Sequence, residues 1–243
     1  MQAVLYVCHG SRVAKGRQQA VSFIEQCMET IDEPIQEVCF LELAQPTIEE
    51  GVQACIEQGA TKVAVIPILL LSANHAKHDI PDELEPIKQA HPSVQFQYGA
   101  PFGVHERIVD ILLERIHEQG TEPTTDDMIL LVGRGSSDEA VKENFREIES
   151  YVKQKTNLHK VETCYLAAAH PTFAEGLEQA KASEAKRVFV VPYLLFTGIL
   201  MQEMTEAIEE LSSPQPFILC NYLGYHPNLR EVLRDRVYEA IGA

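Results

Sequence analysis

The chain has 243 residues, 45% of them hydrophobic and 23% charged, with a formal net charge of −16. That length suits two domains of about 120 residues, each able to bury a core. The acidic balance excludes a general binder of nucleic acid or anionic membranes, and no apolar stretch approaches the ~20 residues of a bilayer span. The first run, AVLYVCH (3–9), is short and nearly all apolar, as expected of a strand buried on both faces. Residues 11–31 carry helical spacing through Ala20, Phe23, Ile24, Cys27 and Met28, and EVCFLEL (37–43) reads as a second strand. Thr47, with Glu50 three residues on, forms the signature of a capping box at a helix start. A third strand at KVAVIPILL (62–70), a helix over 78–90, a fourth strand at VQFQYG (94–99) and a helix over 103–118 follow.

The polar, aperiodic stretch 118–127 is the predicted linker. Beyond it, MILLVGR (128–134), VETCYLA (161–167), KRVFVVPYL (186–194) and PFILCNYLG (216–224) read as four more strands, with helices near 138–155, 172–183, 199–211 and 227–240. Alternation of strand and helix implies parallel sheets covered on both faces. The expected fold is α/β: two tandem duplicated domains, 1–120 and 121–243, each with a four-stranded parallel sheet.

Duplication is visible residue by residue at a constant offset of 125. CHGS (8–11) lies over GRGS (133–136), AQPTIEEG (44–51) over AHPTFAEG (169–176), and KVAVIPILL (62–70) over RVFVVPYLL (187–195). Three polar residues of the first copy have no counterpart: His9, Glu42 and His75 face Arg134, Ala167 and Leu200. Packing alone therefore does not demand them. Each ends or follows a predicted strand, where open parallel sheets bind ligands. Two imidazoles and a carboxylate suit a borderline divalent metal, and three protein ligands leave coordination positions open. His78, three residues after His75, is a lesser candidate. The Gly-Ser loops at Gly10-Ser11 and Gly135-Ser136-Ser137 precede helices and offer backbone N–H groups to an anion, with Arg12 and Arg134 beside them; simple helix capping by serine or Asp138 is the alternative. Six cysteines at 8, 27, 39, 55, 164 and 220 contain no CxxC pair, which fits reduced thiols in the cytoplasm and neither a disulfide framework nor an iron–sulfur cluster. No signal-peptide pattern precedes the first strand.

The stretches VLYVCHGSR (4–12), FLELAQPTIEEG (40–51), PILLLSANHAKHDIP (67–81) and GRGSSD (133–138) together resemble the sirohydrochlorin chelatases, the ATP-independent class, in their long two-domain form. The resemblance spans essentially the whole chain. It implies insertion of a divalent metal into sirohydrochlorin, a tetrapyrrole with eight carboxylates, with His9, Glu42 and His75 as metal-binding and catalytic residues. From the two Gly-Ser loops, Ser11, Arg12, Arg134, Ser136 and Ser137 are the expected substrate contacts; metal is expected as substrate, with no organic cofactor, and the protein is expected to be a monomer. The absence of a histidine tract and a cysteine-rich tail favours iron over cobalt or nickel. Position 8, commonly glycine in the family, is Cys8, whose thiol is expected to influence metal preference. Two rival readings are a metallochaperone using the same ligands without chemistry and an α/β phosphohydrolase using the His-Gly-Ser loop.

Overall fold

The structure, a computed structural model, describes residues 1–224 and 226–242. The eight predicted strands and the helices between them are present. In chain order they are β1 (Gln2–Cys8), α1 (Ala14–Met28), β2 (Ile35–Phe40), α2 (Ile48–Glu57), β3 (Lys62–Ile68), a π turn (His75–Asp79), α3 (Ile80–Ala90), β4 (Gln95–Tyr98) and α4 (Glu106–His117). Then come β5 (Met128–Gly133), α5 (Glu139–Thr156), β6 (Val161–Tyr165), α6 (Phe173–Ala182), β7 (Val188–Tyr193), α7 (Ile199–Glu209), β8 (Phe217–Leu219) and α8 (Pro227–Ile241). No described helix is long and apolar enough to cross a membrane.

Both sheets are parallel, with strand orders β2-β1-β3-β4 and β6-β5-β7-β8. The central strand of each is an unbroken apolar run because helices cover it on both sides. In the first sheet Leu5, Val7, Cys39, Val65 and Leu84 share one core; in the second, Leu130, Val132, Cys164, Val190 and Met204 do so. The predicted capping box closes at Thr47, whose hydroxyl accepts from Glu50 N–H at 3.2 Å while Glu50 accepts from Thr47 N–H at 2.7 Å. Thr172 and Glu175 repeat it at the start of α6, at 3.2 and 2.6 Å.

The compact units do not follow the repeat boundary expected near residue 120. One unit is Met1–Gly103 with Pro227–Ala243, and the other is Val104–His226. Helix α4, which follows β4 in sequence, packs its apolar stripe (Ile108, Val109, Ile111, Leu112, Ile116) in the second unit, against β7 and α5. Helix α8 packs in the first, against β3, β4 and α1. Arginines hold both helices to the loops they cover. Arg236 donates to the Phe102 carbonyl at 2.9 Å, and Arg115 donates to the carbonyls of Tyr222 and Leu223 at 2.8 and 2.7 Å. The predicted linker 118–127 is likewise part of the second unit. Its last residue, Asp127, is 1% exposed and accepts from Arg187 at 2.6 Å and from Thr124 N–H at 2.7 Å. Burial pushes the Asp127 carboxyl up, but bonds from Arg187 and Thr124 outweigh it and leave the group below the usual carboxylate range.

Candidate metal centre

Strand β1 lies between β2 and β3 with the carboxyl ends level, Cys8 pairing with Phe40 on one side and Ile68 on the other. A residue following β1 is therefore flanked by whatever follows its two neighbours. His9 is that residue; Glu42 follows β2 and His75 follows β3.

The backbone extends the pairing past the strand ends. Leu41 N–H donates to the Cys8 carbonyl at 2.8 Å and Glu42 N–H to the His9 carbonyl at 3.0 Å. The chain turns away from this crossing at Gly10, with φ +98°, where a Cβ would stand 1.7 Å from the Glu42 carbonyl oxygen. Only glycine fits so close an approach. On the other flank, His75 opens the π turn, which docks through buried Ala76 and is tethered by the Tyr98 hydroxyl donating to the Ala76 carbonyl at 2.7 Å.

His9 and His75 meet edge to face, their rings 4.4 Å apart and their Nε2 atoms at 3.0 Å. His9 Nε2 lies 3.5 Å from Glu42 Oε1. The imidazoles are 23% and 31% exposed, half-buried yet open to an incoming ligand. His75 Nδ1 lies 2.6 Å from Asp79 Oδ2. Two imidazoles bonded to one ion at ~2.0–2.1 Å sit roughly 3 Å apart, so the spacing of His9 and His75 is that of neighbouring ligands. Among the described residues, however, no group of three or more His, Cys, Asp or Glu side chains is arranged as a ready cage for an ion.

The structure keeps other predicted residues apart from this trio. His78 is exposed on the π turn. Cys8 is buried at 4% exposure, and burial pushes its thiol up to about 12; strand alternation turns it away from the face His9 uses. Ser11 accepts from Val13 N–H at 3.1 Å, and Ser136 accepts from Asp138 N–H at 3.1 Å, with Asp138 in turn capping α5 through Ala140 N–H at 3.0 Å. Local turn closure thus occupies an acceptor site on both serines. Arg12, Arg134 and Ser137 are exposed. Leu200, which faces His75 across the repeat, and its neighbour Met201 pack against the second core. Sequence reasoning missed Asp79, whose signal was the four-residue spacing from His75, the distance at which helical side chains meet.

A parallel sheet whose central strand ends in histidine, with a glutamate and a second histidine on the flanking loops of one copy alone, defines a duplicated α/β protein with one candidate metal rim. The CbiX family model matches residues 3–119 and again 128–240, and the chain belongs to that family. It is 60% identical to the sirohydrochlorin ferrochelatase of Priestia megaterium, over 98% of this chain and 90% of that one. It is 36% identical to the sirohydrochlorin cobaltochelatase of the same organism, over 99% and 80% of the two chains. The solved structure of SirB from Bacillus subtilis with Fe3+ superposes with a TM-score of 0.91 at 41% identity, covering 98% of this chain and 95% of that one.

Proposed function

We propose that this chain inserts ferrous iron into sirohydrochlorin, producing sirohaem without ATP, and that it works in the cytoplasm as a monomer. The observation that carries the reading is the approach of His9 to both His75 and Glu42, at 3.0 and 3.5 Å, in a chain 60% identical to a ferrochelatase. The greater similarity to the iron enzyme than to the cobalt enzyme, 60% against 36%, supports iron.

Metal is the substrate, and His9, Glu42 and His75 are its proposed ligands and the catalytic residues. At 3.0 Å the two Nε2 atoms share a hydrogen bond; for both to bind a metal ion, that ring hydrogen must move to the Nδ1 of its own ring, which for His9 lies 3.3 Å from the Gly10 carbonyl. Glu42 supplies the negative charge that offsets the dication. When the ion passes into the macrocycle, two pyrrole N–H protons must leave, and the imidazole lone pairs released by the metal are placed to accept them. The Ser11 and Ser136 hydroxyls, already accepting from backbone, keep their own O–H free to donate to a carboxylate. With Ser137 and the guanidinium groups of Arg12 and Arg134, they are the proposed contacts for sirohydrochlorin's acidic groups.

The test is absorbance-monitored insertion of Fe2+, Co2+ and Ni2+ into sirohydrochlorin by the full chain. Iron insertion at the highest kcat/KM supports the proposal. Metal binding without insertion would establish the metallochaperone reading instead, and phosphate-ester hydrolysis the phosphohydrolase. Arg134→Ala is expected to weaken sirohydrochlorin binding about 10-fold, the worth of one charge-assisted contact, with metal affinity unchanged.

A further inference from the structure

His75 Nδ1 and Asp79 Oδ2 are 2.6 Å apart. An ionised carboxylate only accepts hydrogen bonds, so at that distance the ring hydrogen belongs on Nδ1. A neutral imidazole has one ring hydrogen, and with it on Nδ1 the lone pair at Nε2 is bare. That atom is the one 3.0 Å from His9 Nε2. We infer that Asp79 is a positioning residue that holds His75 in the Nδ1–H form and directs a bare Nε2 to the metal; this rests on the reading of His75 as a metal ligand.

Two further observations agree. The duplication removes both residues together: His75 faces Leu200, and Asp79 faces Met204 at the same offset of 125. Met204 is wholly buried in the second core, so the four-residue step that carries an imidazole–carboxylate pair in one copy carries an apolar pair in the other. The π turn spanning His75–Asp79 also makes a local departure from α-helical geometry at the point where the pair forms, and such turns recur at functional sites. Asp79 is 48% exposed at its side chain, so packing does not require it. A carboxylate behind the imidazole fixes the ring's orientation and raises its basicity as a ligand, and loss of such a partner typically weakens metal binding 10- to 100-fold.

The experiment uses the full chain with 15N-labelled histidine at a pH where the rings are neutral, and Co2+ as the probe. Long-range 1H–15N correlation is expected to show His75 as the Nδ1–H tautomer in the wild type. Asp79→Ala should move a substantial fraction of that hydrogen to Nε2 and weaken Co2+ binding about 10- to 100-fold. Asp79→Asn, which keeps a side-chain acceptor, should retain much of both properties. Wild-type tautomer populations in Asp79→Ala would overturn the inference. A shifted tautomer with unchanged Co2+ affinity would also overturn it, while leaving His75 as a ligand if His75→Ala alone loses the metal. If His75→Ala binds Co2+ as the wild type does, the ligand reading and the inference fall together.

Discussion

The carboxyl-end rims of the two sheets share one backbone and differ where His9, Glu42 and His75 of the first face Arg134, Ala167 and Leu200 of the second. In the first, Gly10 crosses the Glu42 carbonyl and Glu42 N–H bonds the His9 carbonyl. In the second, Gly135 crosses the Ala167 carbonyl, a Cβ there falling 1.8 Å away, and Ala167 N–H bonds the Arg134 carbonyl at 2.8 Å. Even the left-handed residue that follows recurs, Leu43 at φ 60° and Ala168 at φ 55°. The crossing is therefore a requirement of the fold, and the imidazoles and carboxylate are additions to it. At the amino ends the contrast reverses. The pair Asp127 and Arg187 locks the second sheet, whereas the first has Gln2 and exposed Lys62 at those positions. One copy carries its distinctive polar residues at the carboxyl ends of its strands, the other at the amino ends.

The comparison breaks most sharply at the glycines. Gly10→Ala and Gly135→Ala should both cost about 3 kcal/mol or more in urea unfolding, since each Cβ meets a fixed backbone oxygen at a positive φ. If Gly135→Ala is tolerated while Gly10→Ala is not, the crossing belongs to the site and not to the fold. Next, Asp127→Asn should lower stability by about 2–3 kcal/mol by loosening a buried, charge-assisted network, whereas Gln2→Ala should change it little. Because the folded carboxyl titrates below its ordinary value of ~3.9, its contribution is complete above that pH and disappears as pH falls through the lower native value. The gap between wild type and Asp127→Asn in thermal melts should thus be constant near neutrality and close below about pH 4.

His9→Ala should reduce iron insertion at least 10- to 100-fold with the melting temperature preserved, because its counterpart Arg134 shows that the backbone does not need histidine there. Equal activity in His9→Ala would remove the functional half of the comparison. The smallest effect sharpens it: Leu43→Gly and Ala168→Gly should each stabilise the fold by up to ~1 kcal/mol, since glycine adopts a left-handed φ without the side-chain penalty.

Much of this architecture was legible in the sequence. Apolar runs bounded by polar turns mark all eight strands, and the Thr47–Glu50 spacing announces its helix. Topology then places His9 between Glu42 and His75 once β1 is known to be central. Other features were hidden for definite reasons. The stripe on α4 says that the helix is buried but not against which sheet, so chain order alone does not reveal that it packs in the second compact unit. The segment 118–127 joins α4 to β5 without an element of its own, and what local pattern did not reveal is that its one buried carboxylate, Asp127, finds its partner Arg187 60 residues away. The helix predicted over 78–90 gave no sign of the π turn at His75–Asp79 before it, because hydrophobic periodicity carries no mark of such a turn. Cys8 was credited with metal chemistry by its position beside His9, although alternation along a strand turns neighbouring side chains to opposite faces.

The allocation of the last helices also sets an order of events during synthesis. Proteins made of several compact units usually complete them from the amino terminus onward. Here the unit Val104–His226 is continuous, and every element it needs has been synthesised before Pro227 is added. The unit that begins at Met1 must wait, because α3 covers only one face of its sheet and the other face of β3 and β4 lacks α8 until residues 227–241 have been made. The later-encoded sheet is the first to have all its elements, and the sheet bearing His9, Glu42 and His75 receives its last helix only after the whole of the other unit has been made.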